Sequence, residues 1–383
     1  MAVTRPRVLL VSHEASRTGA PRVALDVLRA LADTEVERVA VLRWPGPLVR
    51  EFHAQADRVA LEPYRRIRAA LRLRRRTRRL AVEVEERAAG RVLDRFRPRL
   101  AYLNSVKAAC YVRPALERGI PVVLHLHERE SLASTVLARH QLDRLYGRIA
   151  LVACSRQVAS DTARITGVPE DRVSVIASCI DVGRVRGMSQ EGQVPQPATP
   201  RQQVGAVGSG DHGKGFDLWL KVARRVAELS RGNAPSFVWV GHVDHYWQRQ
   251  ARELASEADI ELVGATDNPY RPMAEMDLLT VPCREAAFPL VVLEAMALRT
   301  PVVAFDVGGI RDQLASTGEL VPAENVEAMA AAVLELLDDA PRRDGLAEAA
   351  AKRVERFFDA SVFREKIVQL VTPLIDRNEP VDD

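Results

Sequence analysis

Three stretches of this chain carry residue types whose spacing suits the handling of phosphate or of hydroxyl protons. The latest, residues 283–312, reads CREAAFPLVVLEAMALRTPVVAFDVGGIRD. A polar loop with Arg284 and Glu285 passes through Phe288-Pro289 into an apolar run holding one carboxylate, Glu294. Proline suits the start of a helix, where its missing N–H would have no acceptor anyway. Leu290, Val291 and Leu293 lead into Glu294-Ala295-Met296-Ala297, good helix formers, so the reading places Glu294 in the first turn, where the helix dipole favours an acid. The free amides of such an N-terminus form an anion site, and phosphate is the usual anion.

The second stretch, Gly208-Ser209-Gly210-Asp211-His212-Gly213-Lys214-Gly215, follows a short Val-rich strand and precedes a helix predicted over 216–229. Gly208, Gly210 and Gly213 satisfy the dinucleotide fingerprint, but the next strand, Phe237-Val238-Trp239-Val240, ends in Gly241-His242 rather than in the ribose-binding acid. Gly208 with Gly213-Lys214 also spells most of a nucleotide-triphosphate loop. There Gly215 stands where Ser or Thr would hold magnesium. Both motifs fail at the residue that does the chemistry. The third stretch is the strand Val122-Val123-Leu124-His125-Leu126 running into His127-Glu128. Ligands of open α/β sheets sit outside the carboxyl ends of strands, where His127 and Glu128 fall. A strand-end histidine is also a common hydrogen-bonded structural residue; His125 points to the opposite face and reads as structural.

Phe288-Pro289-Leu290 and Glu294-Ala295-Met296-Ala297, with the Pro-strand-Gly-Gly run behind them, resemble the donor-binding signature of retaining GT-B glycosyltransferases of the family 4 type, the glycosyl transferases group 1. That signature has two glutamates with seven residues between them. Counting back from Glu294 lands on Ala286, and the available Glu285 sits one residue early. Lys214-Gly215-Phe216-Asp217 resembles the family's phosphate loop, with Ser209 in place of its arginine. The resemblance implies that Gly208, Ser209 and Lys214 hold the donor diphosphate; with the arginine missing, either the glycine amides and Lys214 do more of the binding or another basic residue such as Arg284 substitutes. It implies that the backbone at Pro289, Leu290 and Val291 completes the diphosphate site, that Glu294 holds the ribose, and that Glu285 reaches the sugar. His127-Glu128 is the nearest match to a His-Asp pair beside the reacting sugar, so His127, Lys214 and Glu285 are the candidate catalytic groups. Gly19, in Thr18-Gly19-Ala20-Pro21, is a further donor-side candidate; a tight turn needing glycine is the alternative. The resemblance implies that residues 260–264, a strand and turn, lie beside the nucleotide base.

These groups need two α/β layers to carry them. Strands predicted at 36–42, 100–103, 121–126, 149–154 and 173–176 alternate with helical patterns, which argues a parallel sheet covered on both faces. Residues 187–203, rich in Pro, Gln and Gly, read as a linker. The expected fold is α/β, GT-B: two Rossmann-like domains with parallel sheets facing across a cleft, so that closure would bring His127 to the donor site. The N-terminal, acceptor-side domain takes 1–190, the linker 191–203 and the donor domain 204–358. A C-terminal helix over 359–383 crosses back to the first domain.

At 383 residues, 47% hydrophobic and 28% charged, the chain has enough apolar material for two cores. A net charge of +4 does not suggest a nucleic-acid partner. Cys110, Cys154, Cys179 and Cys283 form no CxxC pair, as expected for reduced thiols in a cytoplasmic protein, and no signal-peptide core or membrane-length apolar run is present. No Asp-x-Asp or histidine cluster suggests a metal. Residues 65–79, RRIRAALRLRRRTRR from Arg65 to Arg79, form a basic amphipathic pattern. Such a helix docks on an anionic membrane face or an acidic acceptor, or is simply solvated and paired with Glu83, Glu85 and Glu86. The resemblance implies a glycosyltransferase that moves a sugar from a nucleoside diphosphate sugar, UDP- or GDP-linked, with retention and with no metal or cofactor. The acceptor is a glycan, a lipid-linked glycan or a small molecule. The competing readings are a GT-B nucleotide-sugar epimerase or hydrolase, and a non-catalytic nucleotide-binding or membrane-docking module.

Overall fold

The computed structural model describes residues 5–62, 78–128, 130–191, 201–230, 234–254 and 257–376. Two compact units result: Met1–Ser178 with Ala360–Asp383, and Cys179–Asp359. In the first, seven strands, β1 (Arg7–Ser12), β2 (Glu37–Leu42), β3 (Arg58–Leu61), β4 (Leu100–Asn104), β5 (Val122–Leu126), β6 (Ala150–Ala153) and β7 (Val173–Val175), form one parallel sheet in the order β3-β2-β1-β4-β5-β6-β7. Val8, Leu9, Leu10 and Val11 are buried along β1, as a strand covered on both faces requires. From β1 the chain winds one way through β2 and β3 and the other way from β4 onward, so the crevice between β1 and β4 is a topological switch point. Ser12 pairs with Asn104, and Asn104 with His125, so the residues following β1, β4 and β5 emerge level with one another.

The helices of this unit are α1 (Gly19–Ala30), α2 (Val49–Gln55), α3 (Arg78–Phe96), α4 (Val112–Glu117), α5 (Glu130–His140) and α6 (Arg156–Thr166). α1 turns Val23, Ala24, Leu25, Val27 and Leu28 into the core. Ser155 caps α6 by accepting from the Val158 amide, and Gly167, at φ 71°, ends it in the left-handed conformation that glycine tolerates best. The basic stretch at 65–79 lies outside the described residues except for the backbone that opens α3.

The second unit repeats the plan. α7 (Val182–Ser189), β8 (Gln203–Val207), α8 (Phe216–Leu229), β9 (Ser236–Val240), α9 (His245–Leu254), β10 (Ile260–Gly264), α10 (Tyr270–Ala274), β11 (Leu278–Val281), α11 (Leu290–Ala297), β12 (Val302–Phe305), α12 (Ile310–Leu314), β13 (Glu319–Val321), α13 (Val326–Asp338) and α14 (Ala340–Phe357) follow in order. The parallel sheet runs β10-β9-β8-β11-β12-β13, with its switch point between β8 and β11. Its core holds an aromatic nest: the Phe216 and Trp219 rings lie 4.7 and 5.2 Å from Trp239, both edge-to-face. Such pairs contribute roughly 0.5–1.5 kcal/mol each beyond their buried area, and they seat α8 on the sheet directly behind the loop it follows.

Residues 179–190, assigned from sequence to the first domain, pack with the second. Arg186 Nε donates to Ala297 O at 2.9 Å, Asn268 Nδ2 to Met188 O at 2.8 Å, and Ile180 bridges to Asp359. Composition marks where chain is exposed, not where it changes packing partner. Of the linker, 192–200 lie outside the described residues. The last described helix, α15 (Ala360–Asp376), belongs to the first unit and packs on α1, burying Phe363, Ile367, Val371 and Ile375 at four-residue spacing. Arg364 reaches Asp33 at 2.6 Å beside that contact. No helix among the described residues is long and apolar enough to cross a membrane.

Candidate functional site

In the second unit, the loops after β8, β11 and β12 interlock at the carboxyl ends of the strands. Gly208 leaves β8 at φ 150°, and its N–H donates to Val240 O at 2.9 Å. A Cβ on Gly241 would lie 1.9 Å from Gly208 O, so only glycine fits there. Gly210 donates to His242 O at 2.7 Å. The Asp211 carboxylate organises the rest of the loop, accepting from Ser209 Oγ at 2.5 Å and from the Lys214 amide at 2.9 Å. Gly215, at φ 71°, opens α8 so close to the next loop that a Cβ would lie 1.9 Å from Pro282 O.

Between these contacts Lys214 is exposed, and its ammonium has no ion-pair partner among the described residues. Arg284 is differently placed. Its Nη1 and Nη2 lie 2.7 Å from the two Asp217 oxygens, its Nε 3.0 Å from Glu324, and Nη1 also donates to His212 O at 2.7 Å. Burial raises the Asp217 carboxyl, but the hydrogen bonds and charge of Arg284 outweigh it and hold the group below the usual carboxylate range. Arg284 is therefore held as a clamp between two carboxylates, its guanidinium engaged by Asp217 and Glu324.

The two glutamates of the signature stretch also part company. Ala286, at the seven-residue spacing, is buried, its carbonyl accepts from Gly309 N at 3.1 Å, and a Cβ on Gly308 would lie 1.7 Å from that oxygen. Glu285 beside it is exposed. Pro289 sits at the N-cap of α11 with its carbonyl held by Gln313 Nε2 at 2.9 Å, leaving Leu290 and Val291 as the first helical residues. The amides of Leu290 and Val291 precede the first acceptor of the helix, whereas Val292 N–H donates to Pro289 O at 3.2 Å. Glu294 is the fifth residue of α11 and not in its first turn, contrary to the sequence reading, because the helix begins after Pro289. It is 5% exposed and accepts from Tyr270 Oη at 3.3 Å.

A cavity of about 350 Å³ adjoins these loops at the ends of β9 and β10, lined by His242, Val243, Gln248, Arg252, Leu262 and Gly264. Ile260, Leu262 and Gly264 of β10 border it. The contribution from α9 went unread because HYWQRQAREL carries only one buried side chain, Ala251.

The first unit gathers a second group around its own switch point. Asn104, the last residue of β4, is fully buried; its Nδ2 donates to Ala20 O at 2.7 Å and its Oδ1 lies 3.0 Å from His127 Nε2. Glu128 is spent on the backbone, accepting from the amides of His127 at 3.0 Å and Val106 at 3.1 Å and from the Ser105 hydroxyl. Ser105 itself holds φ 145°, a region that side-chain-bearing residues avoid. Burial, with His125 and His13 adding to it, pushes His127 well below the usual histidine value. His13, directly after β1, is pushed down to about 4 by burial and by Lys107, with Glu14 opposing. His125 does not point away from His127, as the sequence reading had it: two residues apart on one strand, they share a face, with ring centroids 4.0 Å apart. His125 is buried, paired with Tyr102 Oη at 2.8 Å, and burial takes it down to about 3.

Lys107, exposed beside this group, gave no signal in the sequence, because its place depends on β4 lying next to β1. The loop that carries it rests on a buried ion cluster in which Arg43 donates to Lys107 O and meets Glu62 at 2.9 Å and Glu85 at 3.2 Å. Gly19 begins α1 with open space where a Cβ would be and without a positive φ, so the tight-turn alternative is not met.

Residues 17–184 match the Glycosyltransferase Family 4 model and residues 201–339 the Glycosyl transferases group 1 model. A structure of Anabaena Alr3699/HepE in complex with UDP and glucose superposes with a TM-score of 0.74 at 16% identity, covering 96% of this chain and 99% of that one. This is the GT-B fold. Among curated relatives, the phosphatidyl-myo-inositol mannosyltransferase of Mycolicibacterium smegmatis is 27% identical over 277 residues, 70% of this chain and 68% of that protein. A D-inositol 3-phosphate glycosyltransferase of Corynebacterium aurimucosum is 39% identical over 113 residues, 27% of each chain. Matches to the first two such relatives span only 27% and 21% of their lengths.

Proposed function

We propose that this protein is a retaining glycosyltransferase that takes a sugar from a UDP- or GDP-linked donor and places it on an acceptor hydroxyl. The observation that carries the reading is the unpaired Lys214 in a loop that Gly215 and Arg284 pin beside the entry to α11. A diphosphate seated there meets one ammonium and the amides of Gly213, Leu290 and Val291. As the glycosidic bond breaks, negative charge builds on the departing diphosphate, and prepositioned donors stabilise it without having to reorganise. Glu294, held by Tyr270, takes the ribose hydroxyls, and the cavity bordered by β10 takes the base. The first unit supplies the acceptor side, with His127 among its groups. The HepE complexes with UDP, and the mannosyl transfer named for the M. smegmatis relative, support a nucleotide-sugar donor.

The test is incubation with UDP- and GDP-sugars and candidate glycan, lipid-linked and polyol acceptors, followed by NMR of the anomeric proton in donor and product. A product of retained configuration is expected. Inversion would contradict the proposed stereochemistry, and free sugar released without an acceptor would make the protein a hydrolase. A second reading, nucleotide binding without turnover, is favoured by Ser209 and by the buried Ala286, which together remove a cation and a carboxylate from the family pattern. Tight nucleotide binding with every donor left intact would support that reading instead.

A further inference from the structure

We infer that Asn104 is a positioning residue that fixes the tautomer of His127, so that the imidazole presents Nδ1 as a lone-pair acceptor for a substrate hydroxyl. The argument follows the hydrogen bonds outward from a group that has no choice. Ala20 O is a carbonyl and only accepts, so the Asn104 atom 2.7 Å from it is the amide nitrogen. The other terminal atom, Oδ1, then faces His127 Nε2 at 3.0 Å. An amide oxygen also only accepts, so Nε2 carries the hydrogen and a neutral ring must leave Nδ1 bare.

The surroundings keep the ring neutral. His125 of β5 packs against it with ring centroids 4.0 Å apart and planes tilted by 43°, and His13 approaches from the end of β1, itself flanked by Glu14 and Lys107. The neighbouring carboxylate, Glu128, is engaged by the backbone amides of His127 and Val106 and by the Ser105 hydroxyl. Nδ1 receives no hydrogen bond from the described residues. Asn104 is wholly buried while His127 is half-buried at the carboxyl end of β5, so the fixed partner lies inside and the open nitrogen belongs to the exposed part of the ring. Because the other half of the Asn104 amide holds the first turn of α1, the tautomer is tied to the loop that carries Gly19. The role given to Nδ1 rests on the proposed transfer reaction; the tautomer does not.

Two experiments separate those claims. In the full-length protein labelled with 15N-histidine, the His127 signals are identified by their loss in His127→Gln. The inference expects a neutral ring protonated at Nε2 from about pH 6 to 8. A ring protonated at Nδ1, or one that titrates near the ordinary histidine value, would overturn it whether or not any donor is turned over. The second experiment compares the pH profiles of transfer in two variants. Asn104→Asp keeps an acceptor for Nε2–H but sets a charge beside the ring, so turnover should fall on the acid side and recover as pH rises. Asn104→Leu frees the tautomer and should lower kcat about tenfold or more at every pH, with the donor KM little changed. Equal, pH-independent losses in both variants would reduce Asn104 to a brace for the fold. A wild type that turns over no donor would remove the transfer reading and leave the labelled-histidine result to decide the tautomer.

Discussion

Arg284 meets Asp217 with both terminal nitrogens at 2.7 Å, and this ties the loop after β11 to the first turn of α8. The pair is partly shielded, with side-chain exposures of 15% and 17%, so it sits between a surface pair and a buried one. Arg284→Ala should cost about 1–3 kcal/mol of stability, mostly by leaving Asp217 without its partner. It should weaken the binding of a nucleoside and of its diphosphate by similar factors, because the effect acts through loop position. Calorimetric titration with both ligands checks this; a loss confined to the diphosphate would mean that Arg284 lets go of Asp217 to grip phosphate.

The carboxylates of the signature stretch should separate by ligand. Glu294 is buried beside Tyr270 in α11, so Glu294→Gln should weaken nucleotide binding with or without the sugar, and Tyr270→Phe should do so more mildly. Glu285 is exposed in the preceding loop, and Glu285→Gln should spare the bare nucleotide while lowering turnover of the sugar donor. Unchanged turnover in Glu285→Gln would show that the one-residue displacement has taken this glutamate out of the reaction.

Acid should unfold the first unit before carboxylate protonation alone would do so. His13 and His125 are pushed down to about 4 and about 3 by burial, against an ordinary value of 6.5. Between those limits the unfolded chain binds the protons that the folded chain refuses, so stability is full above about pH 6.5 and declines as pH falls toward 4. Melting temperatures measured across that window should drop steadily, and His13→Gln should flatten part of the slope. An identical slope in the variant would show that His13 is not a source of the acid sensitivity.

What the sequence made legible was what a local pattern determines. The helix predicted over 216–229 is α8, because Gly215 and the apolar spacing of Phe216, Leu218, Trp219, Val222, Ala223 and Val226 mark its start and its buried face. The Val-rich runs of β8 and β12 were readable for the same reason. β3 was not, since Arg58-Val59-Ala60-Leu61 is half-exposed and carries no buried run. The site was legible to the level of its loops. Which residue of Glu285 and Ala286 points inward depends on how closely Gly308 approaches the loop, and Lys107 comes to the site only through the pairing of β1 with β4. Arg284 looked available for phosphate because its two carboxylate partners lie 67 and 40 residues away in the chain.

The account stands most directly on Lys214 and a diphosphate. Thermal unfolding of the wild type and Lys214→Ala, each with UDP, GDP and the corresponding nucleosides, measures that relationship. A ligand at a hundred times its Kd stabilises the folded state by about 2.7 kcal/mol, so binding registers as a rise in melting temperature. The prediction is a clear rise for at least one diphosphate in the wild type, a much smaller one in Lys214→Ala, and little difference between the two proteins with the matching nucleoside. No shift with any nucleotide, or equal losses for diphosphate and nucleoside in the variant, would contradict a diphosphate site at this loop.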